Sequence, residues 1–216
     1  MIKVNRSPTA PLSLAIEKKK ANGSYKCEDV VKALRSDFKD KCYLCELKNL
    51  TDPEVEHLLP HGNGKDKDRK FDWNNLFWAC RHCNSVKNQT RYSQDVIDCC
   101  KVDPKYKISH YFNDGKVHIV AIDNGKDSEN TAHLIEECFE FRNTGIRIAA
   151  CDARVKQLQK VLDQLFDNLI EYKKSNNEYV KNKIISLIKN DAPFASFTQQ
   201  YIRDHIESYE DFKQYI

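Results

Sequence analysis

The chain has little of what marks a membrane protein or a secreted one. No apolar run approaches the roughly 20 residues that a membrane-spanning helix needs, and the first residues, Met1 to Arg6, lack the apolar stretch of a signal peptide. The nine cysteines are an odd number, which argues against a framework of disulfides. We therefore expect a cytoplasmic protein with reduced thiols and no membrane partner.

Charge of a single sign is also scarce. The 35 Lys and Arg side chains nearly balance the 32 Asp and Glu side chains, and the net charge is +3. Overall charge therefore gives little support for a nucleic-acid partner, and any basic surface must be local. The chain contains no G-x-x-x-x-G-K-S/T phosphate loop, so any dependence on a nucleotide would have to come from a partner.

Cysteine is what the chain does have, in two tight pairs. Cys42-x-x-Cys45 comes first along the chain and Cys80-x-x-Cys83 second. This spacing is typical of zinc sites, because each pair can fill two corners of a tetrahedron. A site of four thiolates has no open position, so the zinc would be structural. The alternative is two buried, reduced turns without metal.

Three residues in and beside this segment carry other chemistry. Glu56 and His57 lie between the pairs, and Asn84 follows the last cysteine. The carboxylate and the amide oxygen suit a hard cation, Mg²⁺ or Mn²⁺, and a neutral imidazole can accept a proton from water. Neighbouring strand residues point to opposite faces, so a kink or bulge must bring Glu56 and His57 together. The set predicts metal-assisted cleavage of a phosphodiester.

The hydrophobic pattern predicts an α+β fold that is mostly helical. We divide the chain into an N-terminal arm and helix over 1–39, the cysteine-rich module over 40–92, a connector with a β-hairpin over 93–127, and a helical region for packing and partner binding over 128–216. Within the module we expect strands over 54–59 and 75–79, a loop over 61–72, and a helix that begins near Cys83.

One helix of the last region has an unusually regular apolar pattern. Its spacing alternates between three and four residues, which predicts a long helix with a narrow seam. The seam can serve internal packing, or a contact with another helix pair or subunit. Its members are Ile148, Cys151, Val155, Leu158, Leu162, Leu165, Leu169 and Tyr172.

The combined motifs resemble those of a known enzyme family, the HNH endonucleases of the ββα-metal class that have a zinc-bound frame of four cysteines. The matching residues are Glu56-His57-x-x-Pro60, Asn75-Leu76 and Cys80-x-x-Cys83-Asn84-x-x-Lys87. The resemblance covers about residues 40 to 90. It implies a ββα-metal module with a zinc site.

The resemblance also implies a role for each motif residue. His57 would be the general base, and Glu56 with Asn84 would hold the catalytic Mg²⁺ or Mn²⁺. Asn75 would brace the loop before the second strand. This chain has Glu56 where the family often has Asp.

The order of elements outside the module resembles the HNH nuclease subunits of Septu-type anti-phage systems, including those attached to some retrons. That resemblance implies a separate ATPase subunit related to ABC and SMC-type ATPases, and docking through the arm or the helical tail. The substrate would be nucleic acid, and we expect DNA rather than RNA. Residues expected to contact it are Lys70, His82, Lys87 and Arg91, although acidic residues interleaved in the loop near Lys70 leave a merely solvated loop as the alternative.

A different class of function stays open on the sequence alone. A zinc module without catalysis can bind nucleic acid or a protein. The Glu56-His57 step favours the nuclease, because a binding module needs neither residue.

Overall fold

The computed structural model describes residues 1–140 and 144–216 and shows an α+β protein that is 54% helical. Its strands form two separate antiparallel pairs. The strands are β1 (Pro53–His57), β2 (Leu76–Cys80), β3 (Ile108–Asn113) and β4 (Lys116–Ala121). The helices are α1 (Leu12–Lys18), α2 (Glu28–Asp37), α3 (Lys67–Phe71), α4 (Arg81–Lys87), α5 (Lys126–Glu140), α6 (Gly145–Ser175), α7 (Glu178–Ile188) and α8 (Ala195–Asp204). Within the described ranges, no helix has the length and apolar character to cross a membrane.

The first strand pair and the helix after it follow one another without a break. β1 pairs with β2 residue for residue, from Pro53 opposite Cys80 to His57 opposite Leu76. The ladder is regular up to His57, so of the predicted kink or bulge, the bulge is absent. The backbone N–H of Cys83 donates to the Cys80 sulfur at 3.5 Å, and this bond caps the first turn of α4. The helix therefore begins at Arg81, two residues earlier than expected.

The predicted loop over 61–72 contains a short helix, α3. Its start is capped by Asp66, whose carboxylate accepts the backbone N–H of Arg69 at 2.9 Å. Asp66 is one of the charged residues on which the prediction of a loop was based. The prediction of a structureless loop is therefore wrong over Lys67–Phe71.

The predicted hairpin is confirmed as β3 and β4. The turn between them places Asp114 at φ 52° and Gly115 at φ 74°, which matches the twist of the flanking strands. α5 is attached to this hairpin, because the backbone N–H of Ile119 donates to the Glu136 carboxylate at 2.9 Å.

The long helix predicted from the heptad pattern is confirmed as α6. It ends where Asn176 takes a left-handed conformation at φ 47°. From Leu158 to Leu169 its seam serves internal packing, with Leu158 and Leu162 in the larger hydrophobic cluster and Leu165 and Leu169 in the smaller one, whereas Ile148 is 40% exposed. α6 therefore joins the two cores.

The larger core takes side chains from all four sequence segments, including the first residues of the chain. Arg6 shows how the arm is held. Its guanidinium donates to the carbonyls of Trp73 and Leu76 at 2.8 and 2.7 Å and lies over the rings of Phe38, Trp73 and Phe77. Arg6 is therefore part of the packing of the module and does not project from it.

A buried ionic cluster centred on Glu46 lies between the module and α8. The Glu46 carboxylate is 2.6 Å from the amino group of Met1 and 3.5 Å from the Lys41 ammonium. It also accepts the backbone N–H and the hydroxyl of Ser196. These cations hold the pKa of Glu46 at about 2 despite its burial.

Candidate metal centre and adjacent cleft

The four predicted zinc ligands meet at one point. The sulfur atoms of Cys42, Cys45, Cys80 and Cys83 all lie within 4.8 Å of one another, and all four residues are buried. Cys45 and Cys80 are 3.9 Å apart, and thiolates that share a tetrahedral zinc are separated by about 3.8 Å. The cluster can therefore hold a metal ion, and its all-sulfur donor set suits zinc.

The long helix α6 contributes a positive charge to this cluster. The Arg154 guanidinium, 4% exposed, donates to the Cys80 sulfur at 3.6 Å and to the Cys138 carbonyl at 3.1 Å. Hydrogen bonds with the other three thiols hold the pKa of Cys80 well below its usual range, and the charge of Arg154 adds to this effect. Thiolates are the form that binds zinc, so Arg154 favours the ligating state.

A polar cleft of about 450 Å³ lies beside β1 and α4. Glu56, His57, His61 and Asn84 all line it. β1 supplies the first two, the loop after β1 the third, and α4 the last. The sequence-predicted Glu56, His57 and Asn84 are therefore brought together.

Glu56 is buried and already has two partners. Its Oε1 lies 2.7 Å from the Lys87 ammonium, and its Oε2 accepts the hydroxyl of Tyr43 at 2.9 Å. Tyr43 lies inside the first cysteine pair, between Cys42 and Cys45, so the metal frame also positions the cleft carboxylate. Nothing in the sequence pointed to Tyr43, since its contact with Glu56 is formed only by the fold.

His57 is held in one orientation by the backbone. Its Nε2 lies 3.0 Å from the carbonyl oxygen of Lys70, and a carbonyl only accepts, so Nε2 carries the proton and Nδ1 has the lone pair. Burial lowers the pKa of His57 to about 4. The rings of Tyr25 and His61 pack edge-on against it, with centroids 4.5 and 4.4 Å away.

The two asparagines of the motif differ in what they contact. The Asn75 side chain accepts the backbone N–H of Leu59 at 2.7 Å and donates to the carbonyls of Leu59 and Arg69. It braces the loop, as the resemblance implied, and acts as a positioning residue. Within residues 1–140 and 144–216, no side-chain hydrogen bond holds Asn84, which lines the cleft and is half-buried.

Two residues predicted to contact nucleic acid have mainly internal contacts. The Lys87 ammonium is buried, paired with Glu56, and bonded to the carbonyls of His57 and Leu58 at 3.0 and 2.8 Å. It supports the end of β1 from inside, which differs from the predicted place on a surface track. Lys70 is half-buried beside the cleft and donates to the Gly23 carbonyl at 2.9 Å.

The other two predicted contacts do not line the cleft, although Arg91 directly follows Thr90, which does. His82 faces the Cys138 carbonyl at 3.1 Å, on the side of α4 that packs against α5 and α6. Arg91 is paired with Glu137 of α5. Helical periodicity explains the direction of the His82 side chain. His82 is two positions before Asn84 and therefore lies on a different face of α4.

Two comparisons with known protein sequences found no match. No protein-family model matches the chain, and no curated protein sequence matches it either.

Proposed function

We propose that the protein is a metal-dependent HNH-type endonuclease that hydrolyses phosphodiester bonds, with DNA as its expected substrate. The observation that carries the proposal is the shared cleft, which is lined by Glu56, His57 and Asn84 and is linked to the four-cysteine cluster by the Tyr43–Glu56 hydrogen bond. An acceptor nitrogen, a carboxylate and an amide oxygen within one polar cleft are the groups that such hydrolysis requires.

The proposed reaction begins at His57. Its Nδ1 takes a proton from a water molecule, while the other proton stays on Nε2, which continues to donate to the Lys70 carbonyl. The water oxygen forms a bond to phosphorus, and the bond from phosphorus to the leaving oxygen breaks. The leaving oxygen takes its proton from solvent. The Lys70 carbonyl fixes the ring so that Nδ1 is the accepting atom.

The residues present fit a hard cation in the cleft. A carboxylate has about four lone-pair positions, and Glu56 uses one on each oxygen, for Lys87 and for Tyr43. Glu56 and Asn84 would therefore hold Mg²⁺ or Mn²⁺ together. Such a cation supplies charge neutralisation on the phosphate and the leaving oxygen.

A plasmid-cleavage assay tests the proposal. Wild-type protein is incubated with supercoiled DNA with and without Mg²⁺ or Mn²⁺, and we expect cation-dependent nicking. His57→Ala should lower the rate by about 10²–10⁴-fold because the base is lost. Asn84→Ala should act in the same direction by weakening cation binding.

The matched control is His118→Ala, which removes an exposed histidine of β4 and should leave the rate unchanged. Zinc content and circular dichroism of each variant show that the fold persists. Cleavage by His57→Ala at the wild-type rate would remove His57 from the reaction. Wild-type protein that cuts neither DNA nor RNA would reject the nuclease.

One observation favours the competing function, a zinc module that binds nucleic acid or protein without catalysis. The Glu56–Lys87 ion pair is buried and links β1 to α4. Glu56 therefore has a structural role that does not require catalysis. The plasmid-cleavage assay distinguishes the two functions, because a binding module retains affinity for DNA or protein but produces no nicks.

We also propose that the protein acts in an anti-phage complex with an ABC- or SMC-like ATPase. The support is the order of elements in the sequence, together with apolar side chains that α1 and α6 leave exposed. Leu12, Ile146 and Ile170 are 80%, 86% and 54% exposed. Co-expression with the product of a neighbouring ATPase gene tests it, and a chain that purifies alone with full activity would contradict it.

A further inference from the structure

We infer that His61 binds the phosphate of the substrate, by donating its Nε2–H to a non-bridging oxygen. The inference rests on the proposed nuclease function and adds a residue that no part of the family motif contains. It comes from the hydrogen bonds of two neighbouring imidazoles in the cleft.

The loop after Pro60 fixes the tautomer of His61. The backbone N–H of Gly64 donates to His61 Nδ1 at 2.7 Å. An imidazole nitrogen that accepts a hydrogen bond carries no proton, so the proton of the neutral ring is on Nε2. Gly62, Asn63 and Gly64 have φ values of 58°, 55° and 85°, and these left-handed conformations bring the Gly64 N–H back to the ring.

His57 has the same tautomer, but its contact with the protein is made by the other ring nitrogen. Its Nε2 donates to the Lys70 carbonyl, which leaves Nδ1 as an acceptor. The two ring centroids are 4.4 Å apart, and both residues line the same cleft. The cleft thus presents one nitrogen that can take a proton and one N–H that can donate.

These two roles are complementary in phosphodiester hydrolysis. The attacking water needs an acceptor, and the non-bridging oxygens need donors as negative charge builds on them. Lys87, the nearest ammonium to Glu56, is used internally by Glu56 and two carbonyls. His61 therefore supplies the donor that Lys87 does not present to the cleft.

The loop alone does not require an imidazole at this position. An Asn side chain accepts the backbone N–H of the third residue after it equally well, as at helix starts. What His61 adds beyond Asn is the second nitrogen, which lies on the far side of the ring from the Gly64 bond. Substitutions can therefore separate the loop contact from the donor.

Two variants form the test. His61→Asn keeps an acceptor for the Gly64 N–H and loses the distant donor, whereas His61→Gln places an amide N–H near the position of Nε2. We expect kcat/KM for DNA cleavage to fall by about 10- to 100-fold in His61→Asn, the range for one hydrogen bond to a charged group. His61→Gln should stay close to the wild-type rate.

Each result has one meaning, provided that zinc content is retained. Wild-type activity in His61→Asn would overturn the inference, and so would an equal loss in both variants. The affinity for a short DNA duplex without divalent cation is measured in parallel, and only His61→Asn should bind more weakly. If wild-type protein does not cleave, the nuclease proposal fails by itself. The binding comparison then decides His61, and equal affinities would overturn it.

Discussion

Two buried carboxylates depend on the same cysteine pair but have different surroundings. Glu46 follows Cys45 directly, and Glu56 is bonded to Tyr43, which lies between Cys42 and Cys45. They are 2% and 3% exposed, and each has a lysine and a hydroxyl as partners. A histidine adjoins each cluster, His110 at the Met1 amino group and His57 next to Glu56 in the chain.

The clusters differ in what their histidines contact. In the Glu46 cluster His110 is 3% exposed and lies 2.7 Å from the Met1 amino group. Glu46 and His110 each also line a cavity, of about 300 and 220 Å³. In the Glu56 cluster His57 and Asn84 line a cleft of about 450 Å³. The same residue types therefore serve stability in one place and, in our proposal, chemistry in the other. Variants that separate stability from activity test this comparison.

The largest effect should come from the cysteine cluster, because both carboxylates depend on it. Cys80→Ser should release the zinc and unfold or aggregate the protein, since a structural zinc contributes roughly 10 kcal/mol or more of folding free energy. Metal analysis and circular dichroism measure the two consequences. Cys27→Ser, which changes a half-buried cysteine outside the cluster, is the control. Well-folded wild-type protein without zinc would contradict the assignment.

The next effect separates stability from activity. Glu46→Gln removes the charge that faces Lys41 and the Met1 amino group, so the free energy of unfolding should fall by about 3–5 kcal/mol. Urea unfolding measures the loss, and cleavage per folded molecule should stay at the wild-type level. Glu207→Gln, at an exposed position, should change neither quantity. Reduced cleavage in fully folded Glu46→Gln would show that the two clusters are functionally linked.

The smallest effects are expected when either of the two hydroxyl donors is removed. Tyr43→Phe and Ser196→Ala each remove one hydrogen bond to a buried carboxylate, and each should lower the free energy of unfolding by about 1.5–3 kcal/mol. Only Tyr43→Phe should also lower cleavage, by about tenfold for one lost hydrogen bond, because Glu56 lines the cleft. Equal activities of the two variants would remove the distinction between the clusters.

The sequence predicted the elements that follow from local spacing. The four cysteines were recognised from their paired spacing, α6 from its heptads, and the β3–β4 hairpin from Asp114 and Gly115. In each case the residues that carry the pattern either lie within a few positions of one another or recur with a fixed period.

Contacts between distant residues were not predictable in the same way. The sequence predicts Lys87 as a contact of nucleic acid, whereas the fold pairs it with Glu56, 31 positions earlier. His82 was placed near phosphate from its position between two cysteines, but the turn of α4 directs it toward Cys138. Arg6 belongs to the predicted N-terminal arm, and only the folded chain shows its contacts with Trp73 and Phe77.

The Glu46 cluster has a consequence for synthesis on the ribosome. Its partners Ser196 and the Asn190 carbonyl lie far along the chain from Glu46 and Lys41. All four cysteines emerge about 110 residues before Ser196, which corresponds to on the order of 10 s at about 5–20 residues per second. A nascent chain can therefore acquire its metal while the Glu46 charge is still hydrated, and the last helices complete the interior afterwards.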